Sequence, residues 1–415
     1  MQRPRKSQIS DLKFEIKETA KAEAGRNMQM RILRVASLFV TGLLVAGICF
    51  AQDLARERVI GAIELVATFD GAMPTGVTVG VDGRIFLNFP RWGDDVEYTV
   101  GELRDGKTFA YPDAKINRYV EGDDASEKLV SVQSVVVDPS GERLWILDTG
   151  SIQFGPTKPG GPKLIGVDLR SNQIVRKIVF PSSVALSTSY LNDVRFDMHR
   201  GERGTAFITD SSLSGANGII VVDLASGESW RRLNDHPSTK ADASFVPVVE
   251  GEVFQTRLPG KAPARFAVGS DGIAISPDGK TLYYCPLSSR HLYSVSVDAL
   301  ADRTISDADV AATVRDLGEK GGAGDGLESD TQGRVYMSDY EHDSITRRNY
   351  DGEIETLVHD PRVLWPDTLS LASNGYLYFT VNQIERQASF HNGQDLRKKP
   401  YALFRVRVDG ARISN

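Results

Sequence analysis

Residues 269–298, GSDGIAISPDGKTLYYCPLSSRHLYSVSVD, constrain the fold more than any other stretch, because the chain writes the same unit six times. Ser270, Asp271 and Gly272 introduce a short apolar run, 273–275. Residues 276–280, SPDGK, then form a tight turn, with Pro where φ is near −65° and Gly where φ must be positive. Residues 281–285 and 291–297 are β-branched and aromatic, so the unit reads as three consecutive antiparallel strands.

The other copies follow the same grammar. Residues 75–79 lead through Asp82 and Gly83 into 85–87, 134–137 through 138–141 into 144–147, and 192–196 past Gly201 and Gly204 into 206–208. Residues 325–327 lead through Gln332 and Gly333 into 335–337, and 367–371 through Asn374 and Gly375 into 376–379. Unequal spacing between copies is that of propeller blades with loops of different length. A single blade cannot bury both faces of a small sheet, so six units pack radially about an axis. The expected fold is therefore all-β, a six-bladed β-propeller. Residues 63–69 and 401–408 each read as strands without a local partner. Pairing them would close the ring and remove two exposed edges.

Three segments follow from the patterning. Residues 1–27 show no periodicity and read as an unstructured extension, with Met28 or Met30 as an alternative start. Residues 28–51 combine a basic start, an apolar run and a small residue at Ala51, which is the pattern of a cleaved secretory leader. Residues 52–415 form the propeller. Ile48 stands where a small residue would precede a lipidated Cys49, which argues against a lipid anchor. Export places the mature chain outside the cytoplasm, secreted or periplasmic.

Removing residues 1–51 takes nine basic and four acidic side chains from totals of 49 and 55, leaving a net charge of −11. Such a surface suits neither nucleic acid nor an anionic membrane, and a small molecule is the expected partner. Cys285 remains alone in an apolar strand, so no intrachain disulfide forms and a buried, inert thiol is expected. Residues 237–269, with Pro247, Pro259 and Pro263, read as an inserted loop over one face; residues 154–162 read similarly.

In a propeller the start of each first strand and the end of each second strand lie on one face of the central channel. That places Asn192, Asp193, Asp271, Asp325 and Asp367 at first-strand starts, and Asn88, Asp148, Asp210, Asp339 and Asn382 at second-strand ends. Carboxylates gathered without a counter-charge take up protons or hold a cation. Asp271, Asp325 and Asn192 are the candidate ligands for Ca2+ or another divalent cation, since oxygen ligands favour these over zinc. Trp92, Tyr190, Tyr340 and Trp365 fall beside the polar positions and either wall a pocket or pack between blades. Turn capping is the competing role for every Asp and Asn here, and the only one for Asp82, Asp138, Asp278 and Asn374.

Residues 190–197, YLNDVRFD, with 206–211, 218–224 and 229–233, resemble the yellow / major royal jelly protein family, as do 271–274 with 283–287, and LWPDTL at 364–369. The likeness runs over essentially the whole mature chain. It implies a secreted six-bladed propeller of a family associated with dopachrome tautomerisation, with binding of small amines or sterols, or with no known reaction. A more distant likeness, through 270–284 and 324–339, is to the calcium-dependent gluconolactonase and senescence-marker family. There Asp271 stands at the position of a metal-binding asparagine and Asp325 at that of the metal-binding aspartate that serves as base. The family's first-blade glutamate has no match, because Thr75 precedes Gly76.

Three functional readings stay open. A binding protein would hold a small, cationic ligand among Asn192, Asp193, Asp210, Asp271, Tyr340, Trp365 and Asn382 without turnover. A tautomerase would use Asp325 or Asp367 to move a proton. A lactonase would polarise an ester with a cation while Asp325 activates water. Nothing in the sequence carries Ser-His-Asp catalysis, a phosphate loop or a redox centre.

Overall fold

The computed structural model describes residues 58–414, so the extension at 1–27 and the leader at 28–51 lie outside the described residues. Residues from Val59 onward form one compact unit.

Six four-stranded antiparallel sheets make the six blades. β1 (Glu64–Phe69) stands apart in sequence from the first blade, which is β2 (Gly76–Val79), β3 (Ile85–Asn88), β4 (Val100–Arg104) and β5 (Lys107–Ala110). The second is β6 (Val132–Val137), β7 (Arg143–Asp148), β8 (Lys163–Asp168) and β9 (Gln173–Val179), and the third is β10 (Leu191–Asp197), β11 (Thr205–Asp210), β12 (Gly218–Asp223) and β13 (Ser229–Arg232). Two small hairpins follow, β14 (Val248–Val249) with β15 (Glu252–Val253), and β16 (Gln255–Thr256) with β17 (Ala264–Arg265). The fourth blade is β18 (Ser270–Ile275), β19 (Thr281–Pro286), β20 (His291–Ser296) and β21 (Arg315–Glu319), and the fifth is β22 (Leu327–Ser329), β23 (Val335–Asp339), β24 (Ser344–Arg348) and β25 (Ile354–His359). β26 (Pro366–Leu371), β27 (Tyr376–Val381) and β28 (Tyr401–Arg407) build the sixth, whose outermost strand is β1, paired antiparallel with β28 from Glu64 opposite Arg405 to Phe69 opposite Tyr401.

The innermost strands lie against one another in cyclic order, β2 on β6, β6 on β10, β10 on β18, β18 on β22, β22 on β26 and β26 back on β2. Burial follows position in the blade. All seven residues of inner strand β10 are buried, whereas most of outer strand β9 faces solvent. Inner strands thus lose the apolar–polar alternation of a half-exposed sheet.

The turns at the far ends of the blades behave as their composition dictates. Asp278 accepts from Ser276 Oγ at 2.6 Å and from the Lys280 amide at 3.1 Å, while Gly279 takes φ +67°. Asp82, Asp138 and Asn374 cap their turns in the same manner. Cys285 is a free, fully buried thiol. In the fourth blade two short helices, Val297–Ala301 and Asp307–Ala312, precede the outer strand, where the sequence pattern shows only strands. Among the described residues no helix is long and apolar enough to cross a membrane.

Candidate functional site

The inner strands meet the channel mouth with a shared irregularity. Register shifts fall between Val132 and Ser134, Leu191 and Val194, Ser270 and Ile273, and Pro366 and Leu369. Each shift sits on the polar residues at the start of the strand: Gln133, Asn192 with Asp193, Asp271, and Asp367. A bulge leaves a residue unpaired and re-aims its side chain. Glycine then sets the spacing. A Cβ on Gly272 would overlap the carbonyl of Asp325, and one on Gly326 would overlap that of Asp367. Two Asp-Gly pairs therefore let consecutive blades approach closely, bringing Asp271, Asp325 and Asp367 into one group.

All three carboxyls are buried, and burial is the largest force acting on them. It pushes Asp325 up to about 6, with Trp365 and Asp271 hydrogen-bonding to it and pulling back. Asp271 lies well above the usual carboxylate range through burial and the neighbouring charges of Asp325 and Asp367. Asp367 is raised for the same reasons, although Asn382 Nδ2 donates to its Oδ2 at 2.7 Å. Three acids in one dry site cannot all ionise, so the group shares protons and titrates as a unit. Asp325 is the member whose proton leaves most readily.

Around this floor stands an apolar wall. A cavity of about 100 Å3 is lined by Asn192, Asp271 and Asp325 below, and by Trp92, Phe154, Tyr190, Phe266 and Trp365 at the sides. Phe154 stacks on both Trp92 and Tyr190, with ring centroids at 5.1 and 4.3 Å, and those two rings lie 6.3 Å apart, so the three form one cluster. Tyr190 is held by two bonds: its hydroxyl accepts from Trp92 Nε1 at 2.7 Å and donates to Gln133 Oε1 at 3.0 Å. Opposite, Trp365 donates its indole N–H to Asp325 Oδ2 at 2.8 Å and lies flat on Tyr340, centroids 4.0 Å apart at 4°. The inserted hairpins supply Phe254 and Phe266, which pack on Trp365 and Phe390. The site is thus a flat-walled slot with a protonatable base, suited to a planar organic molecule.

Of the residues picked out from sequence, Trp92, Tyr190, Asn192, Asp271, Asp325 and Trp365 line the cavity. Asp193, Asp367 and Asn382 form a layer beneath: Asp193 accepts from Ser134 Oγ at 2.6 Å, and Asn382 orients Asp367. Tyr340 does not reach the cavity; it backs Trp365 and gives its hydroxyl to Leu287 O at 2.7 Å. Asp210 is likewise not a ligand group. It accepts from Ser189 Oγ, the Tyr190 and Ser212 amides, and Arg231 Nη1 at 2.7 Å. Asp148 is a similar staple, paired with fully buried Lys163 at 2.7 Å. Second-strand ends stand one strand away from the axis, so their acids tie blade loops together instead of meeting at the mouth. Sequence reading passed over Gln133, Ser211, Phe154 and Phe266 as cavity residues. Gln133 had a signal, its place just before an inner strand, but the aromatics sit on loops with no repeat to mark them.

The donor set does not fit a calcium ion. Calcium takes six to eight oxygens with several carboxylates among them. Among the described residues no three His, Cys, Asp or Glu side chains come together as metal ligands. Asp325 Oδ2 already accepts an indole N–H, and Asp271 and Asp325 hydrogen-bond each other, so both carboxylates are engaged. The first-blade position is Thr75, a hydroxyl that accepts from Asn88 Nδ2 at 2.7 Å.

A family model, Major royal jelly protein, matches residues 130–409. Protein yellow of Drosophila guanche is 26% identical over 272 residues, which is 61% of this chain and 44% of that protein. Major royal jelly protein 7 of Apis mellifera is 29% identical over 191 residues, 45% of this chain and 38% of that one. The matched region thus spans less than half the length of either relative. Among solved structures, a calcium-binding protein, regucalcin, from Agrobacterium tumefaciens has a TM-score of 0.51 at 15% identity, covering 84% of this chain and 97% of that one. A putative gluconolactonase has a TM-score of 0.51 at 13% identity, covering 86% and 100%. At such identities these likenesses show the fold.

Proposed function

This chain belongs to the major royal jelly protein family, and from that premise we propose that it binds a small planar molecule in the aromatic slot and moves a proton on it, as a tautomerase of the dopachrome type does. One observation carries the reading: Asp325 and Asp271 are hydrogen-bonded carboxyls on the floor of the slot, with Asp325 raised to about 6 and Asp271 well above the usual carboxylate range.

At neutral pH Asp325 is the ionised member and serves as the base. Asp271 hydrogen-bonds Asp325 and steadies the charge on its neighbour. A carbon acid held in the slot would present its proton to Asp325, which returns it at a second position of the same molecule. Asp367, behind the pair, takes no part in contact but raises the proton affinity of Asp271. Proton transfer by a positioned group of matched acidity contributes about 10²–10⁴ in rate. The stacked walls exclude water and hold the ring in one plane. Binding without turnover uses the same slot, with the ionised Asp325 facing the positive end of a cationic ligand.

The gluconolactonase alternative calls for a cation polarising an ester, and the donor set described above does not supply its ligands. The leader at 28–51 supports export, so we propose a secreted or periplasmic mature chain beginning at Gln52; its amino terminus, read by mass spectrometry on protein recovered outside the cytoplasm, checks this.

The deciding experiment assays dopachrome isomerisation and a lactone panel with and without chelator. Isomerisation that survives chelation and falls at least ~100-fold in Asp325→Asn supports the proposal. Lactone hydrolysis abolished by chelation would overturn it. Silence on both panels, with Tm raised by a planar amine in the wild type and not in Asp325→Asn, reduces the function to binding.

A further inference from the structure

A second cavity, about 300 Å3, lies on the other side of the wall that closes the slot. The partition is the segment Ile384–Arg386 with Gln387. Ile384 and Gln387 line the inner slot, and Glu385 lines the outer cavity. Its backbone starts from Gln383 in the left-handed region, φ +63°, a conformation that costs free energy outside glycine.

Glu385 is 4% exposed, and no other residue gives its carboxylate a hydrogen bond, its own backbone amide being the donor at hand. The nearest cation is Arg386, whose Nε stands 3.5 Å from Glu385 Oε1. That guanidinium is committed elsewhere: its Nε donates to Glu250 Oε2 at 3.0 Å and its Nη2 to Glu250 Oε1. Glu250 sits in the turn of the β14–β15 hairpin, so the Glu250–Arg386 pair pins that hairpin to the partition. Phe254, next along the chain, is the residue that packs on Trp365. Glu250 and Asp343 face Glu385 with negative charge, and Arg386 with positive charge; Glu252, Arg257 and His391 line the same cavity. Arg257 gives Nη2 to Val253 O at 2.9 Å, and His391 Nε2 lies 2.9 Å from the Glu385 carbonyl.

An ionised carboxylate without a hydrogen bond from another residue is costly to keep buried, and it would draw on Arg386, the nearest cation. We propose that Glu385 is a proton-controlled latch: uncharged, it leaves Arg386 to Glu250 and keeps the β14–β15 hairpin seated; charged, it competes for Arg386 and releases the hairpin. Burial, with the nearby Glu250 charge, pushes Glu385 up to about 8, which puts the release in mildly alkaline solution. The effect on a ligand in the slot rests on the functional reading above, whereas the latch itself does not.

Hydrogen exchange of the ligand-free mature chain from pH 6.5 to 9.5, corrected for intrinsic chemistry, tests it. In the wild type, protection of residues 248–256 and 384–391 should fall through about pH 8, by up to ~10-fold per pH unit. Glu385→Gln, which imitates the neutral acid, should remain protected throughout. Glu250→Gln should expose 248–256 at every pH. A wild type without the step, a Glu385→Gln variant with the same step or unable to fold, or a Glu250→Gln hairpin as protected as the wild type would each overturn the latch.

Discussion

Trp365 holds Asp325 by an indole N–H at 2.8 Å while its own backbone sits at φ +47°, a left-handed conformation seldom taken by a large side chain. The strain is kept by the flat stack on Tyr340 and by Phe254, whose ring centroid lies 5.4 Å away. In Trp365→Phe the stack survives and the donor is lost. The hydrogen bond favours the ionised acid, so its loss raises Asp325 above about 6. A hydrogen bond to a charged group is worth about 1.5–3 kcal/mol. The acidic limb of the pH–rate or pH–binding profile should therefore move up by at least about one pH unit.

Gly272 tests how the acids are assembled. Because a Cβ there would overlap the Asp325 carbonyl, Gly272→Ala must push the fourth and fifth blades apart. Overpacking of this kind costs about 1–3 kcal/mol. Denaturant melts should show that loss, and the widened gap should lower the apparent pKa of the acid group, read by carboxyl NMR. A variant with unchanged titration would show that the close approach does not set the coupling.

The staple acids should respond as structure and not as chemistry. Lys163 donates to Asp148 at 2.7 Å and to two carbonyls, fully buried. Lys163→Met leaves Asp148 alone and should cost about 3–5 kcal/mol. The double variant Lys163→Met/Asp148→Asn should recover part of this, since no lone charge remains. Ligand binding by whatever fraction stays folded should be unchanged.

Stability should fall as pH rises across the mildly acidic range. Asp325 has a folded value of about 6 against an ordinary 3.8, so the unfolded chain releases its proton first. The contribution is fully present below about pH 4 and is lost by the time pH passes 6, about 3 kcal/mol in all. Asp271 and Asp367 act in the same direction, over a window that opens at the same acidic pH and extends to higher pH. Urea unfolding at pH 4.5 and 7 should show a smaller decline in Asp325→Asn than in the wild type.

The sequence by itself determined the blades. Turn residues such as Pro277, Asp278 and Gly279 act through local backbone preferences, and strands rich in Val, Ile and Tyr through burial, so both are written where they act. Family likeness was equally legible in contiguous segments such as 190–197 and 364–369, matched by the family model over 130–409. Only the tertiary structure decided which acids meet. Asp210 and Asp325 look alike in sequence, yet one faces Arg231 at 2.7 Å and the other the Trp365 indole across a blade boundary. A carboxylate's proton affinity depends on the solvent it loses and the charges it gains, and both come from residues dozens of positions away. For the same reason Phe154, Phe254, Phe266 and Glu385 stayed unread: they lie on irregular segments, where no periodic pattern records which neighbour the fold will bring.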